Sequence, residues 1–215
     1  MQAEEKPERS ARFWNKVAER YAKSPVGDEA AYQRKLEITR GYFRPEMEVL
    51  EFGCGTGTTA LIHAPYVKHI RATDFSSEMI RIARGKAVAQ GIENVSFEQA
   101  GIDTLEAPEA SLDAVLGLNV LHLLADKEAV IAKVHRMLKP GGVFVSSNVC
   151  LGGSLLGWLL WLAGPLGRAL GLMPLLRIFS PQQLLDSLTD AGFEIDHEWR
   201  PNKGWGMFIV AKKPG

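Results

Sequence analysis

Met47-Glu48-Val49-Leu50-Glu51-Phe52-Gly53-Cys54-Gly55-Thr56-Gly57 is a short apolar run that carries an acid near its end and opens into three alternate glycines. A strand that stops in a glycine turn ahead of a helix exposes several backbone N–H groups at one point, and a small ligand can lie against them. The stretch therefore reads as a nucleotide-type site. The usual form of such a loop is the dinucleotide fingerprint G-x-G-x-x-G. Here the spacing is G-x-G-x-G, with Thr58 where the third fingerprint glycine would stand, so a pyrophosphate cradle is the weaker choice. A ligand-free turn would not need three glycines.

Two carboxylates narrow the ligand. Glu51 lies two residues before Gly53, and Asp74 closes the next apolar run, residues 67–73. Acids at the ends of neighbouring parallel strands suit a ligand with a hydroxylated ribose and a cationic amino group, and S-adenosyl-L-methionine has both. On the E-x-G-x-G-x-G loop and Asp74, the chain resembles the class I S-adenosylmethionine-dependent methyltransferases, and among them the ubiquinone/menaquinone-biosynthesis type.

Outward from the loop, helices and strands alternate. Ser76 caps a helix with Met79, Ile80, Ala83 and Ala87 inward, and Gly91 ends it. Strands are expected at 95–99 and 112–118, then a helix capped by Asp126. Lys139-Pro140-Gly141-Gly142 turns the chain into a fifth strand. Ser180-Pro181-Gln182-Gln183 has the pattern of a capping box, and two further strands, 193–199 and 205–212, are joined by a turn at 201–204. This alternation predicts a parallel sheet with right-handed crossovers. The resemblance makes it an α/β, Rossmann-like, doubly wound seven-stranded sheet, mostly parallel with a closing antiparallel hairpin. Upstream, Ser10 is read as the cap of a helix carrying Trp14, Ala18 and Tyr21, residues 24–27 break it, and a second helix runs from Asp28 to about Gly41. Downstream of the glycine loop, residues 56–64 are expected to be helical until Pro65 stops them.

The 215 residues, 46% hydrophobic, suffice for one core, so a single domain is expected over 1–215, with a helical cap at 1–46. Basic and acidic residues balance at 25 each, which gives no global footprint for nucleic acid. The polar first nine residues read as a frayed tail, not a targeting segment. Cys54 and Cys150, far apart in sequence, indicate neither a disulfide framework nor a metal site and fit a reducing cytoplasm.

Residues 149–178 form an apolar insert in which Arg168 and Arg177 are the only charges. Gly164-Pro165, Arg168 and Pro174 divide it into pieces shorter than the roughly 20 apolar residues of a bilayer-spanning helix. It is read as a lid over the carboxyl ends of the strands, within an insert at 149–180. A peripheral membrane contact through 155–178 and a subunit interface are the other readings.

The resemblance assigns roles one by one. Glu51, Gly53, Cys54, Gly55 and Gly57 would embrace the methionine and ribose portions of the cofactor, with Cys54 as a small residue and not a nucleophile. Asp74, followed by Phe75, would hold the ribose hydroxyls. Met79 would stack on the adenine, and Tyr21 would reach the cofactor from the first helix. The family has an aspartate for the adenine amino group where this chain has Gly101, so the Ile102 backbone and Asp103 take that place. Asn119 would meet the methionine end, and His122 is the candidate general base. Methyl transfer asks mainly for alignment in a dry site, so the lack of a triad does not count against an enzyme. The expected acceptor is a small, apolar molecule.

Other classes fit less well. A nicotinamide dehydrogenase would want the third glycine and a Tyr-x-x-x-Lys or histidine constellation. An amino-directed nucleic-acid methyltransferase would show Asn- or Asp-Pro-Pro-aromatic after strand four, where this chain has Asn119-Val120-Leu121. A non-catalytic cofactor-binding or interaction protein remains an alternative.

Overall fold

The computed structural model describes residues 5–169, 173–201 and 205–215. Its strands are β1 (Glu48–Phe52), β2 (His69–Asp74), β3 (Val95–Gln99), β4 (Leu112–Leu118), β5 (Leu138–Val149), β6 (Glu194–Trp199) and β7 (Gly206–Lys212). Its helices are α1 (Glu5–Lys23), α2 (Glu29–Arg40), α3 (Thr58–His63), α4 (Ser77–Gln90), α5 (Lys127–Met137), α6 (Leu155–Ala169) and α7 (Pro181–Asp190). One seven-stranded sheet runs β3-β2-β1-β4-β5-β7-β6. The first five are parallel, and β7 is antiparallel to both of its neighbours.

In β1, Val49 to Phe52 are all buried, as a strand covered on both faces requires. Successive residues serve opposite layers. Leu50 and Phe52 pack with Val115, Phe144 and Ile209 under α5 and α7. Val49 packs with Ile70, Leu116 and Val145 under α3 and α4. The strand order reverses between β1 and β4, so the loops leaving their carboxyl ends diverge and open a crevice, the place where such sheets bind ligands.

Most predicted boundaries match, including the helix start at Asp28, the side-chain caps of Ser76 and Asp126 and the capping box at Ser180. Four do not. Helix α1 begins at Glu5, placing Ser10 inside it; Pro7 falls in the first turn, where a missing N–H costs no helical bond. Pro65 does not simply stop α3, because residues Ala64–Tyr66 continue as a 3-10 turn. The Lys139–Gly142 turn is taken into β5: Gly141 N–H donates to Lys213 O and Lys213 N–H to Gly142 O, both at 2.9 Å, and the register against β4 shifts there. Gly164-Pro165 does not divide the insert, since α6 runs through both. Proline removes one backbone donor, and the rest of the helix holds. The hairpin turn expected at 201–204 falls, at 202–204, outside the described residues.

Candidate functional site

The crevice is built on the glycine loop. Gly53, Gly55 and Gly57 have φ of +65°, +53° and +74°, in the left-handed region that side chains avoid. Two of them also face crowded neighbours. A Cβ at Gly53 would stand 2.6 Å from Val120 Cγ2, and one at Gly57 2.6 Å from Phe97 Cε1. Gly55 differs, for a Cβ there would meet only Tyr21 Cε1, at 3.7 Å. So Gly53 and Gly57 fasten the loop to the post-β4 segment and to β3, while Gly55 faces the cleft.

Asp74 shapes the same loop. Its Oδ2 accepts from Gly55 N–H at 3.0 Å and its Oδ1 from Ser76 N–H at 2.9 Å. Burial raises the Asp74 carboxyl above its ordinary value, and these two N–H groups oppose the rise. Glu51 is 2% exposed, and its Oε2 has no hydrogen-bond partner among the described residues. Burial first, and then the charge of Asp74, pushes its carboxyl up to about 8. A buried carboxyl oxygen without a partner calls for one, and a cationic amino group is the natural complement.

A cleft of about 60 Å³ joins Gly53, Gly55, Asp74, Phe75, Met79, Asn119 and Tyr21, all expected at the site. Asn119 has φ +55°, a conformation asparagine tolerates better than most residues, and its N–H donates to Ser147 O at 2.6 Å. Glu51 is not in the wall, and Cys54 and Gly57 form the back of the loop. Burial, then Glu51 and Asp74, raises the Cys54 thiol well above its ordinary value, which keeps it protonated.

Ile102 and Asp103 lie outside the wall. Ile102 packs into the core beside Leu105 and Leu121, and Asp103 is exposed. Lys133 of α5 draws both backbones its own way, donating to Ile102 O at 2.9 Å and Asp103 O at 3.0 Å. His122 is likewise not in the wall. It is nearly buried in a 3-10 turn, Leu121–Leu123, and its Nδ1 is unpartnered among the described residues. Burial lowers the imidazole below its ordinary value, with Asn148 acting in the opposite sense.

Helix α1 roofs the cleft. Asn15 Oδ1 accepts from Ser76 Oγ at 2.6 Å and from Glu78 N–H at 3.3 Å, which ties the roof to the start of α4. Trp14 and Tyr21 meet edge to face at 6.1 Å and both line the cleft. Partial burial, then Asp74 and Glu51, raises the Tyr21 phenol. The chemistry of this donor and acceptor set fits S-adenosyl-L-methionine. The volume fits only if the aromatic pair moves, because ligand pockets run to about 300–1,000 Å³.

Leu118, Val120 and Leu123 also line the cleft, and sequence reasoning missed them. Their position beyond the switch strand β4 is a usable signal. Asn15 had none.

Residues 49–142 match the family model of the methyltransferase domain. The chain is 33% identical over 132 residues to the uncharacterized methyltransferase YcgJ of Bacillus subtilis, covering 61% of this chain and 52% of that protein. It is 30% identical over 151 residues to the ubiquinone/menaquinone biosynthesis C-methyltransferase UbiE of Shewanella piezotolerans, covering 66% of this chain and 59% of that protein. The matches thus span a little over half the length of these two relatives. The YcgJ crystal structure superposes with a TM-score of 0.71 at 18% identity, over 85% of this chain and 99% of that one. The structure of the [4+2]-cyclase SpnF does so with a TM-score of 0.68 at 20% identity, over 84% and 81%. At these identities both likenesses are of fold. With its glycine loop, its two strand-end acids and the match to the family model, residues 49–142 form a methyltransferase domain, and the chain is similar to the class I S-adenosylmethionine-dependent methyltransferases, whose cofactor is S-adenosyl-L-methionine.

Proposed function

We propose that the protein transfers the methyl group of S-adenosyl-L-methionine to a small, lipophilic acceptor by in-line displacement. The observation that carries this is the pair of buried acids, Glu51 and Asp74, bracketing the half-buried, cleft-lining Gly55 at the switch point. The bound cofactor supplies an electrophilic methyl on a sulfonium with a good leaving group. Asp74 accepts from the ribose hydroxyls while its N–H bonds hold the loop. Glu51, ionised by the ligand's cationic amino group, neutralises that charge below the loop. Gly53 and Gly55 leave room for close approach, Met79 and Phe75 flank the adenine, and Asn119 bounds the methionine end. Tyr21 and Trp14 exclude water from above. His122, behind the cleft wall and with its imidazole lowered by burial, is the candidate to take a proton if the acceptor must lose one.

The acceptor side is bounded by the insert at 149–180. Its far end is pinned to the catalytic edge, for Arg177 N–H donates to His122 O at 2.7 Å and Phe179 is buried beside it. The apolar composition of the insert favours an apolar acceptor. The fold is shared with a protein named a [4+2]-cyclase, so fold alone does not fix the reaction; the second reading is a protein that binds the cofactor without transferring its methyl group. A labelled-methyl transfer screen against a cellular lipid and quinone extract, read by mass spectrometry, separates the two. Label in an apolar product supports transfer, and tight cofactor binding with no labelled product supports the second reading.

A further inference from the structure

Helix α6 turns a broad apolar face to the solvent. Its exposed side chains are Leu155, Leu156, Trp158, Leu159, Leu162 and Leu166, with Ala163 among them. At about 100° per residue they cover an arc of roughly 160°. Among the described side chains, those turned away from the solvent are Gly157, which is buried, and Leu160, Gly164 and Gly167, which are half-buried. Gly157 is held there by contact, since a Cβ would stand 2.2 Å from Leu151 O. A surface helix of a globular protein points its large apolar residues to the core; α6 points most of those described to the solvent. At the nearby sheet end Val149 and Trp205 are exposed as well, and Cys150 N–H donates to Trp205 O at 2.8 Å.

We propose that α6 is a lipid-facing helix by which the protein docks on an anionic bilayer surface, a property that goes beyond methyl transfer and does not depend on it. Three features choose lipid over a protein partner. The arc presents no hydrogen-bonding side chain except the Trp158 indole, whereas protein interfaces carry about one hydrogen bond per 100–200 Å², and an indole suits the headgroup level. Residues 149–185 contain no acid, and their only charges are Arg168 and Arg177, with Arg177 exposed. A segment of this length without an acid, with the Arg177 cation exposed just beyond the helix, complements anionic headgroups. At 15 residues the helix is about 22 Å long, too short to span and suited to lying in the interface with the protein body above it.

The test is vesicle co-sedimentation of the full chain with phosphatidylcholine alone and with a quarter phosphatidylglycerol. The wild type should sediment with both, several-fold better with the anionic vesicles, and salt should remove that advantage. Leu159→Glu with Leu162→Glu, both at exposed positions, should lower partitioning by about tenfold or more while leaving cofactor binding and melting temperature unchanged. Quenching of indole fluorescence by brominated lipid should fall in Trp158→Phe. A wild type that stays in the supernatant overturns the proposal. So does a double variant that sediments like wild type, or one that loses only self-association in sedimentation velocity. Because cofactor affinity is read on the same samples, failure of docking and failure of the methyltransferase proposal are distinguishable.

Discussion

Asp74 Oδ2 accepts the Gly55 backbone N–H at 3.0 Å, so the acid at the end of β2 shapes the turn that ends β1. The same carboxyl is assigned to the ribose. Asp74→Ala removes both the loop bond and the ligand acceptor. At about 1.5–3 kcal/mol for a hydrogen bond to a charged group, S-adenosyl-L-methionine affinity should fall by roughly tenfold to a hundredfold in calorimetry. Asp74→Asn keeps one carbonyl acceptor and should lose less. Unchanged affinity in the alanine variant would remove the site assignment.

Glu51 should make cofactor binding pH-dependent. Its carboxyl titrates at about 8, so it is mostly protonated at pH 7 until a cationic ligand favours the ionised form. Binding should then release a proton near pH 7, and the release should vanish above about pH 9. Calorimetry in buffers of different ionisation enthalpy measures it, and Glu51→Gln should abolish it. Stability follows the same sign. The native carboxyl is raised above its unfolded value of 4.5, so the wild type loses stability as pH rises through about 5 to 8. Glu51→Gln should therefore gain relative to wild type over that range, by on the order of a few kcal/mol.

The glycines should separate folding from binding. Gly57→Ala forces a Cβ to 2.6 Å from Phe97 Cε1 and 2.8 Å from Ala83 Cβ, and should cost about 1–3 kcal/mol in denaturant unfolding. Gly55→Ala meets no such crowding and carries only the strain of positive φ, about 1 kcal/mol, yet it intrudes on the cleft. Its affinity loss should exceed its stability loss. The reverse order would mean that Gly55 does not face the ligand.

His122 should set the acid limb of the rate profile. Its imidazole lies below 6.5, so the base form is present at pH 7 and the rate should hold from there upward, dropping as pH falls below 6.5. His122→Asn should flatten that limb in kcat against pH. A limb that persists in the variant would assign the proton to another group.

The sheet was legible because β1, β4 and the strands beside them combine apolar runs with glycine or capped-helix boundaries, signals local to the chain. The loop and its two acids were legible for the same reason, for Glu51, Gly55 and Asp74 sit at strand ends whose adjacency follows from parallel pairing. Ile102 and Asp103 were not. Their placement depends on Lys133, which comes from a helix thirty residues later and leaves no mark on the local sequence. Ser10 misled because a good capping residue also sits within a helix once Pro7 opens the first turn upstream. The exposed apolar face of α6 lay hidden for a simpler reason: a helix apolar all round has no periodicity to reveal which side meets the protein.

Asn15 holds α1 to the first turn of α4 through Ser76 and Glu78, and that clasp has a kinetic meaning. With the roof down, the cleft admits little more than water. If ligand entry and departure share this one gate, both rate constants scale with how often α1 lifts. Asn15→Ala should speed association and dissociation together in stopped-flow fluorescence while leaving their ratio nearly fixed. Turnover would then be limited by release of the spent cofactor, at a ceiling set by a helix that takes no part in the chemistry.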